Sequence, residues 1–261
     1  MTEVTAAIAF DSVSKSYGDG GHKVLDGVSL AVGEHEFLAV VGPSGSGKTT
    51  LLRLVNRLID PSEGTVRVAG EDVRTVDPIV LRRRIGYVFQ GIGLFPHMTV
   101  AENIGITPRL LGQDAATIAR RVDELIELVR LDRAAHGRRF PHELSGGERQ
   151  RVGVARALAA SPRIVLMDEP FGALDPLTRD ALSQDYRALH DQLGLTTVMI
   201  THDMMEALLL ADRIAVMRGG RLVADGTPDA MMAHTADDFV SELMQTPRRQ
   251  ADRLNALKAP R

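Results

Sequence analysis

An α/β fold with a mostly parallel sheet at its core is what this sequence predicts, and three observations predict it. Short apolar runs at Phe37–Val41, Arg163–Met167 and Thr196–Ile200 read as strands buried on both faces. Between the first of these and a helical period at Leu51, Leu52, Val55 and Leu58 stands the pattern G-x-x-x-x-G-K-[ST], spelled in full from Gly42 to Thr50. The remaining segments separate by period. The first thirty residues alternate loosely, which predicts an antiparallel β subdomain, and residues from Val100 to Leu131 follow a helical period, which predicts a helical subdomain inserted between strands.

Taken in order, Ile8, Phe10, Val13 and Tyr17 lie on one alternating segment, and Val24 to Val32 repeats it. The turn Gly18-Asp19-Gly20-Gly21 makes the two an antiparallel pair. Tyr17, near the end of the first strand, could stack on a nucleotide base or simply cover a neighbouring strand residue. Next comes the glycine loop. Gly42, Gly45 and Gly47 allow the backbone to curl so that successive N–H groups point inward at phosphate oxygens. Pro43, Ser44, Ser46 and Thr50 complete the loop, Lys48 supplies a point charge for outer phosphates, and Thr49 offers a hydroxyl to magnesium. The helix that follows adds the positive end of its dipole.

Asp60 to Gly64 breaks the helical period, and Thr65–Val68 returns to a short strand. Residues Arg84 to Gln90 read as a strand ending in a polar side chain. The loop after it, Gly91 to Met98, is more apolar than a solvated loop should be, so it either folds back on the core or presents a greasy patch to a partner. At Leu144-Ser145-Gly146-Gly147-Glu148 a capping box opens a helix, and its two glycines leave amides bare for an approaching phosphate. Capping and anion binding are compatible there. The run ending at Met167 leads into Asp168 and Glu169, two carboxylates at the strand edge where open α/β sheets bind ligands. The first is suited to hold magnesium through water and the second to take a proton from an attacking water. Asp175 before Pro176 reads as a helix N-cap. A last strand, Thr196–Ile200, brings His202 to the same sheet edge, after which the chain alternates briefly and closes on a helix carrying Phe239, Val240 and Leu243.

Composition narrows the function. Thirty-one basic against 34 acidic residues give a net charge of -3, which offers no overall basic surface for nucleic acid. With no cysteine there are no disulfides and no thiolate metal sites. Residues Met1 to Phe10 lack the charged start of a secretory signal, and no apolar run approaches the ~20 residues of a membrane span.

Together these segments resemble the nucleotide-binding subunit of ATP-binding-cassette (ABC) transporters over nearly the whole chain. The resemblance implies a P-loop NTPase, RecA-like cassette at 1–246, with the helical subdomain at about 91–160 and a basic tail at 247–261. It assigns Tyr17 to adenine stacking, Gly42 to Thr50 to the Walker A loop, and Gln90 to the Q-loop that joins magnesium and water to the helical subdomain. It makes Ser145, Gly146, Gly147 and Glu148 the signature that closes over the ATP of a second cassette, with Glu148 standing where glutamine is commoner. Asp168 becomes the Walker B metal carboxylate, Glu169 the general base, Asp175 the D-loop residue and His202 the switch histidine at the γ-phosphate. The implied ligands are ATP and Mg2+. The implied partners are a second copy or sibling cassette, transmembrane permease subunits and, indirectly, a substrate-binding protein, with no nucleic acid and a peripheral place on the cytoplasmic face of the membrane.

Three stretches, Leu52–Leu58, Asp77–Gln90 and Gly93–Ile104, look like importers of quaternary-amine osmoprotectants such as glycine betaine, choline or carnitine. Many of those relatives append paired regulatory cystathionine-β-synthase-type domains, for which too little sequence follows Gly226. Importers of other solutes such as amino acids, soluble ABC proteins of DNA repair or the ribosome, and P-loop small-molecule kinases are the competing readings. The soluble relatives usually carry two cassettes, a coiled-coil insertion or zinc cysteines, and a kinase leaves Ser145 to Glu148 unexplained.

Overall fold

The early alternation becomes a hairpin in the computed structural model, which describes residues 6–18, 22–91, 93–233, 237–245 and 249. Strand β1 (Ala6–Tyr17) pairs antiparallel with β2 (His22–Gly33), and β4 (Glu63–Val68) with the two-residue β5 (Glu71–Asp72) extends this to a sheet ordered β2-β1-β4-β5. A second sheet has the order β10-β9-β3-β8-β7-β6. Its strands are β3 (Phe37–Val41), β6 (Ile85–Val88), β7 (Ile164–Asp168), β8 (Thr196–Ile200), β9 (Arg213–Arg218) and β10 (Arg221–Gly226). All neighbours are parallel except β10, which runs against β9.

The core forms because β3 is apolar on both faces. Phe37, Ala39 and Val41 join one buried cluster with Val100, Ile104, Val152 and Tyr186, while Leu38 and Val40 join another with Ile8, Leu30, Leu51 and Leu52. Period-two alternation therefore assigns odd and even residues to opposite layers. Helices fill those layers: α1 (Lys48–Val55), α2 (Pro78–Arg84), α3 (Val100–Leu110), α4 (Ala115–Leu128), α5 (Arg133–His136), α6 (Gly146–Leu158), α7 (Pro176–Leu193), α8 (Met204–Leu210) and α9 (Pro228–Ala233). A further helix covers 238–245 and buries Val240. The basic tail lies outside the described residues, Arg249 apart.

Three local expectations are corrected. Helix α1 ends before Leu58, because Arg57 takes a left-handed φ of 49° and its amide bonds Leu54 O at 3.1 Å while the Leu58 amide bonds Arg53 O at 2.9 Å. That pairing is a Schellman stop, and it leaves Leu58 47% exposed. Arg84 belongs to a helix and not to the strand after it. Asp77 caps α2 by accepting from the Ile79 and Val80 amides, with Pro78 in the first turn. Strand β8 is not the last of its sheet, since β9 returns parallel to β3 and β10 closes that edge.

Candidate active site

The glycine loop is built by backbone that side chains would obstruct. Gly42 has φ +146°, and a Cβ there would lie 2.1 Å from the Met217 carbonyl oxygen. At Gly47, φ is +99° and a Cβ would meet Val24 O at 2.6 Å. Glycine is the residue without that atom. Lys48 folds back under the loop, its Nζ donating to the carbonyls of Gly42 at 2.8 Å and Pro43 at 2.9 Å. Burial pushes the Lys48 ammonium down from its ordinary value, against the opposing pull of Glu169 and Asp168. Ser46 Oγ is buried with no hydrogen-bond partner among the described residues.

A cleft of ≈ 440 Å³ opens over this loop, lined by Ser44, Gly45, Gly47, Lys48, Thr49 and Thr50 together with Val24, Gln90, Glu169 and His202. These come from separate segments whose carboxyl ends share one sheet edge, because β3, β6, β7 and β8 are parallel and adjacent. Gln90 Nε2 donates to Glu169 Oε2 at 3.0 Å, and His202 Nδ1 stands 3.5 Å from the same oxygen. Glu169 holds a left-handed φ of 45°, an uncommon conformation for a residue with a side chain, and its amide donates to Ile200 O at 3.0 Å. Asp168 sits behind the cleft wall, buried, and accepts from Thr49 Oγ1 at 3.3 Å. Burial raises its carboxyl above the usual range, opposed by the Thr49 hydrogen bond.

Among the described residues no group of three His, Cys, Asp or Glu could hold a metal by itself. Thr49 and Asp168 nonetheless bring two hard oxygen donors together beside Lys48. That donor set fits magnesium, which keeps waters and takes one or two protein oxygens plus phosphate.

Other expected residues stand apart. Tyr17 is half-exposed and does not line the cleft, and the Lys15 ammonium lies 5.2 Å from its ring centre. Ser145 and Glu148 form the expected capping box at the start of α6. Glu148 Oε2 accepts from the Ser145 amide at 2.7 Å, and the Glu148 amide donates to Ser145 Oγ at 3.3 Å. The second Glu148 oxygen meets His136 Nε2 at 3.0 Å. Neither Ser145 to Glu148 nor Asp175 touches the cleft of its own chain. Asp175 caps α7 by accepting from the Thr178 amide at 3.1 Å.

A separate, apolar groove of ≈ 510 Å³ lies between the sheet and the helices, lined by residues that include Leu58, Tyr87, Phe89, Phe95, Leu110 and Arg156. Gly93 and Phe95 of the loop after Gln90 line it together with Phe89, and Phe89 and Phe95 remain 45% and 41% exposed, whereas Leu94 of the same loop packs against the core; Ile92 lies outside the described residues. The Arg156 guanidinium lies near both rings and donates to Gly93 O at 2.7 Å. The sequence did not reveal that Val24 lines the cleft over the glycine loop, nor that Arg179 ties the turn after Glu169 to the turn at His202. No local signal marked Arg179, whose side-chain partners stand at 172, 174, 203 and 206.

The family model described as ABC transporter matches residues 25–172, more than half of the chain. The chain belongs to the ABC transporter family. This cassette is 48% identical over 237 residues to the choline transport ATP-binding protein OpuBA of Bacillus subtilis, covering 91% of the chain and 62% of that relative. It is also 48% identical over 235 residues to the glycine betaine uptake system ATP-binding protein YehX of Escherichia coli, covering 90% of the chain and 75% of YehX. The chain thus spans about three-fifths of the length of the first relatives it matches, 62% for OpuBA. Among solved structures, a dimeric ATP-binding cassette in a post-hydrolysis state, bound to ADP and Pi, superposes with a TM-score of 0.77 at 33% identity, over 85% of this chain and 98% of the other.

Proposed function

We propose that this cassette hydrolyses ATP to drive import of a quaternary amine, such as glycine betaine, choline or carnitine, across the cytoplasmic membrane. Residues 1–246 form the working unit, with a helical subdomain at about 91–160. The observation that carries the reading is the convergence of Lys48, Thr49, Gln90, Glu169 and His202 on one cleft at the sheet edge. Lys48 and the N–H groups of the loop from Gly42 to Thr50, Pro43 having none, hold the phosphates, Tyr17 takes the adenine, Glu169 orients water in line, and His202 contacts the γ-phosphate. Thr49 and Asp168, with Gln90 beside them, would hold magnesium, which would supply positive charge to neutralise the outer phosphates.

The cleft is half of the site. Ser145, Gly146, Gly147 and Glu148 of a second copy or sibling close it, with Asp175 at the contact. The solved dimeric neighbour supports this pairing. The apolar groove beside Phe89 and Phe95 suits a cytoplasmic helix of a permease subunit, which would place the cassette on the inner face of the membrane. No helix among the described residues is long and apolar enough to span it. A substrate-binding protein is coupled through the permease.

Copurification of the full chain with membrane subunits, and ATP hydrolysis by that complex, tests the proposal. Association with ribosomes or DNA and no membrane subunit would contradict it. ATP-dependent uptake of glycine betaine, choline or carnitine by vesicles carrying that complex tests the quaternary-amine assignment, and uptake of none of them would contradict it.

A further inference from the structure

Arg179 stands outside the cleft in the first turns of α7, and the steps proposed above make no use of it. Its guanidinium reaches two separate turns. Nη2 donates to the carbonyls of Gly172 and Leu174, both at 3.3 Å, in the turn that joins Glu169 to Asp175. Nη1 donates to Asp203 Oδ2 at 3.3 Å, and Nε faces Glu206 Oε1 at 3.8 Å. Among the described residues Nε and Oε1 are both buried without a hydrogen-bond partner, so each is the other's electrostatic compensation. The other Glu206 oxygen accepts from Thr201 Oγ1 at 2.6 Å, and Thr201 Oγ1 accepts from the Asp203 amide at 3.0 Å. Residues 201–206 are therefore one braced turn, and Arg179 fastens it to the turn at 172–174.

His202 sits inside this frame. Its side chain is 61% exposed, so its ring is placed by the turn beneath it more than by packing around it. Gly172 lies beside both functional groups: a Cβ built there would lie 3.6 Å from His202 Cε1 and 3.8 Å from Glu169 Oε2. A forked guanidinium with donors in fixed directions suits such a junction, where an ammonium offers one point charge.

We propose that Arg179 is a positioning residue that holds the His202 turn in register with the turn from Glu169 to Asp175, so that movement of Asp175 at a cassette contact is carried to His202. The inference rests on the ATP-hydrolysis reading of this same cleft. Arg179 touches no reacting atom; it acts through His202, where a misplacement of an ångström is enough to slow the reaction.

The test is steady-state ATP hydrolysis by the full chain, with kcat and KM measured separately. Arg179→Gln lowers kcat by about 10- to 100-fold and leaves KM for ATP within about 2-fold, because the phosphate loop is untouched. Added to His202→Ala, the same substitution costs less than about 3-fold more, since nothing remains for it to position. Asp203→Asn keeps a good N-cap for α8 while removing the charge that Arg179 meets, and it gives the same pattern at smaller amplitude, so the outcome does not hang on one variant folding. Multiplying losses in the double variant, or a parent-like kcat in both Arg179→Gln and Asp203→Asn, overturns the positioning role and leaves the proposed function standing. A parent chain that hydrolyses no ATP overturns both.

Discussion

Two helix starts face anions in this proposal, and they are built in opposite ways. Helix α1 begins at Gly47 in a left-handed conformation, with φ 99° and no side-chain cap. Its first amides lie at the floor of the cleft beside Lys48. Helix α6 begins at Ser145 with a closed capping box, and Glu148 is tied further to His136. The first start needs a ligand to satisfy its amides; the second satisfies itself and spares only the amides over which Gly146 and Gly147 place no side chain. The difference teaches how the labour is divided. On the proposed reading the cleft captures nucleotide within one chain, while α6 is a surface that would act when brought to another chain's nucleotide.

That contrast breaks most severely at the chemistry the cleft contributes. Glu169→Gln is expected to lower turnover ~100-fold or more while ATP binding persists, since the loop and Lys48 are unchanged. Phosphate release beside equilibrium ATP binding checks it, and turnover near the parent's would remove Glu169 from its role. The next effect is on stability. Gly47→Ser would give α1 the kind of cap α6 has, yet the new Cβ would lie 2.6 Å from Val24 O and 2.7 Å from Leu25 Cδ2. The strain outweighs the cap, with a loss of about 1–3 kcal/mol by denaturant unfolding. An unchanged midpoint would show that α1 tolerates a capped start.

Ser145→Asp separates capping from anion contact at α6. Aspartate keeps the cap but loses the hydroxyl that supports Glu148 and sets a like charge beside it, so the thermal midpoint should fall only modestly. The same charge would oppose a facing polyphosphate and weaken ATP-driven pairing about 10-fold. Equal pairing in sedimentation would mean that α6 does not face the nucleotide. The smallest effect concerns Glu148. The Ser145 amide first, then the Ser145 hydroxyl and His136, hold its carboxyl down from 4.5 to about 2. A depressed folded value means that the carboxylate stabilises fully above the ordinary range and loses that contribution as pH falls from 4.5 toward about 2. Glu148→Gln keeps the capping box and removes this component, so its midpoint should fall less steeply over that interval than the parent's. Parallel curves would show that the box does not depend on charge.

Local signals were legible in the sequence and long-range ones were not. The glycine loop, the capping box at Ser145 and the buried run into Asp168 each declare themselves within about ten residues, because turn chemistry and side-chain period act at that range. The stop of α1 was hidden, since an arginine at 57 takes the left-handed position where glycine would have signalled it. Helix α2 carried the same Asp-Pro start as α7, but β-branched Ile79 and Val80 and the strand after Arg84 masked it. That Asp168 would stand behind Thr49, 119 residues away, and that Arg179 would reach Asp203 depend on how parallel strands align their ends, which no local pattern encodes.

The division of the site between two chains is tested most directly by the mass of Glu169→Gln in solution with and without ATP. With hydrolysis blocked, ATP should convert monomer to dimer, and Lys48→Ala in the same background should abolish the conversion. A Glu169→Gln chain that retains bound ATP and stays monomeric, beside a monomeric parent that hydrolyses ATP at full rate, would contradict it.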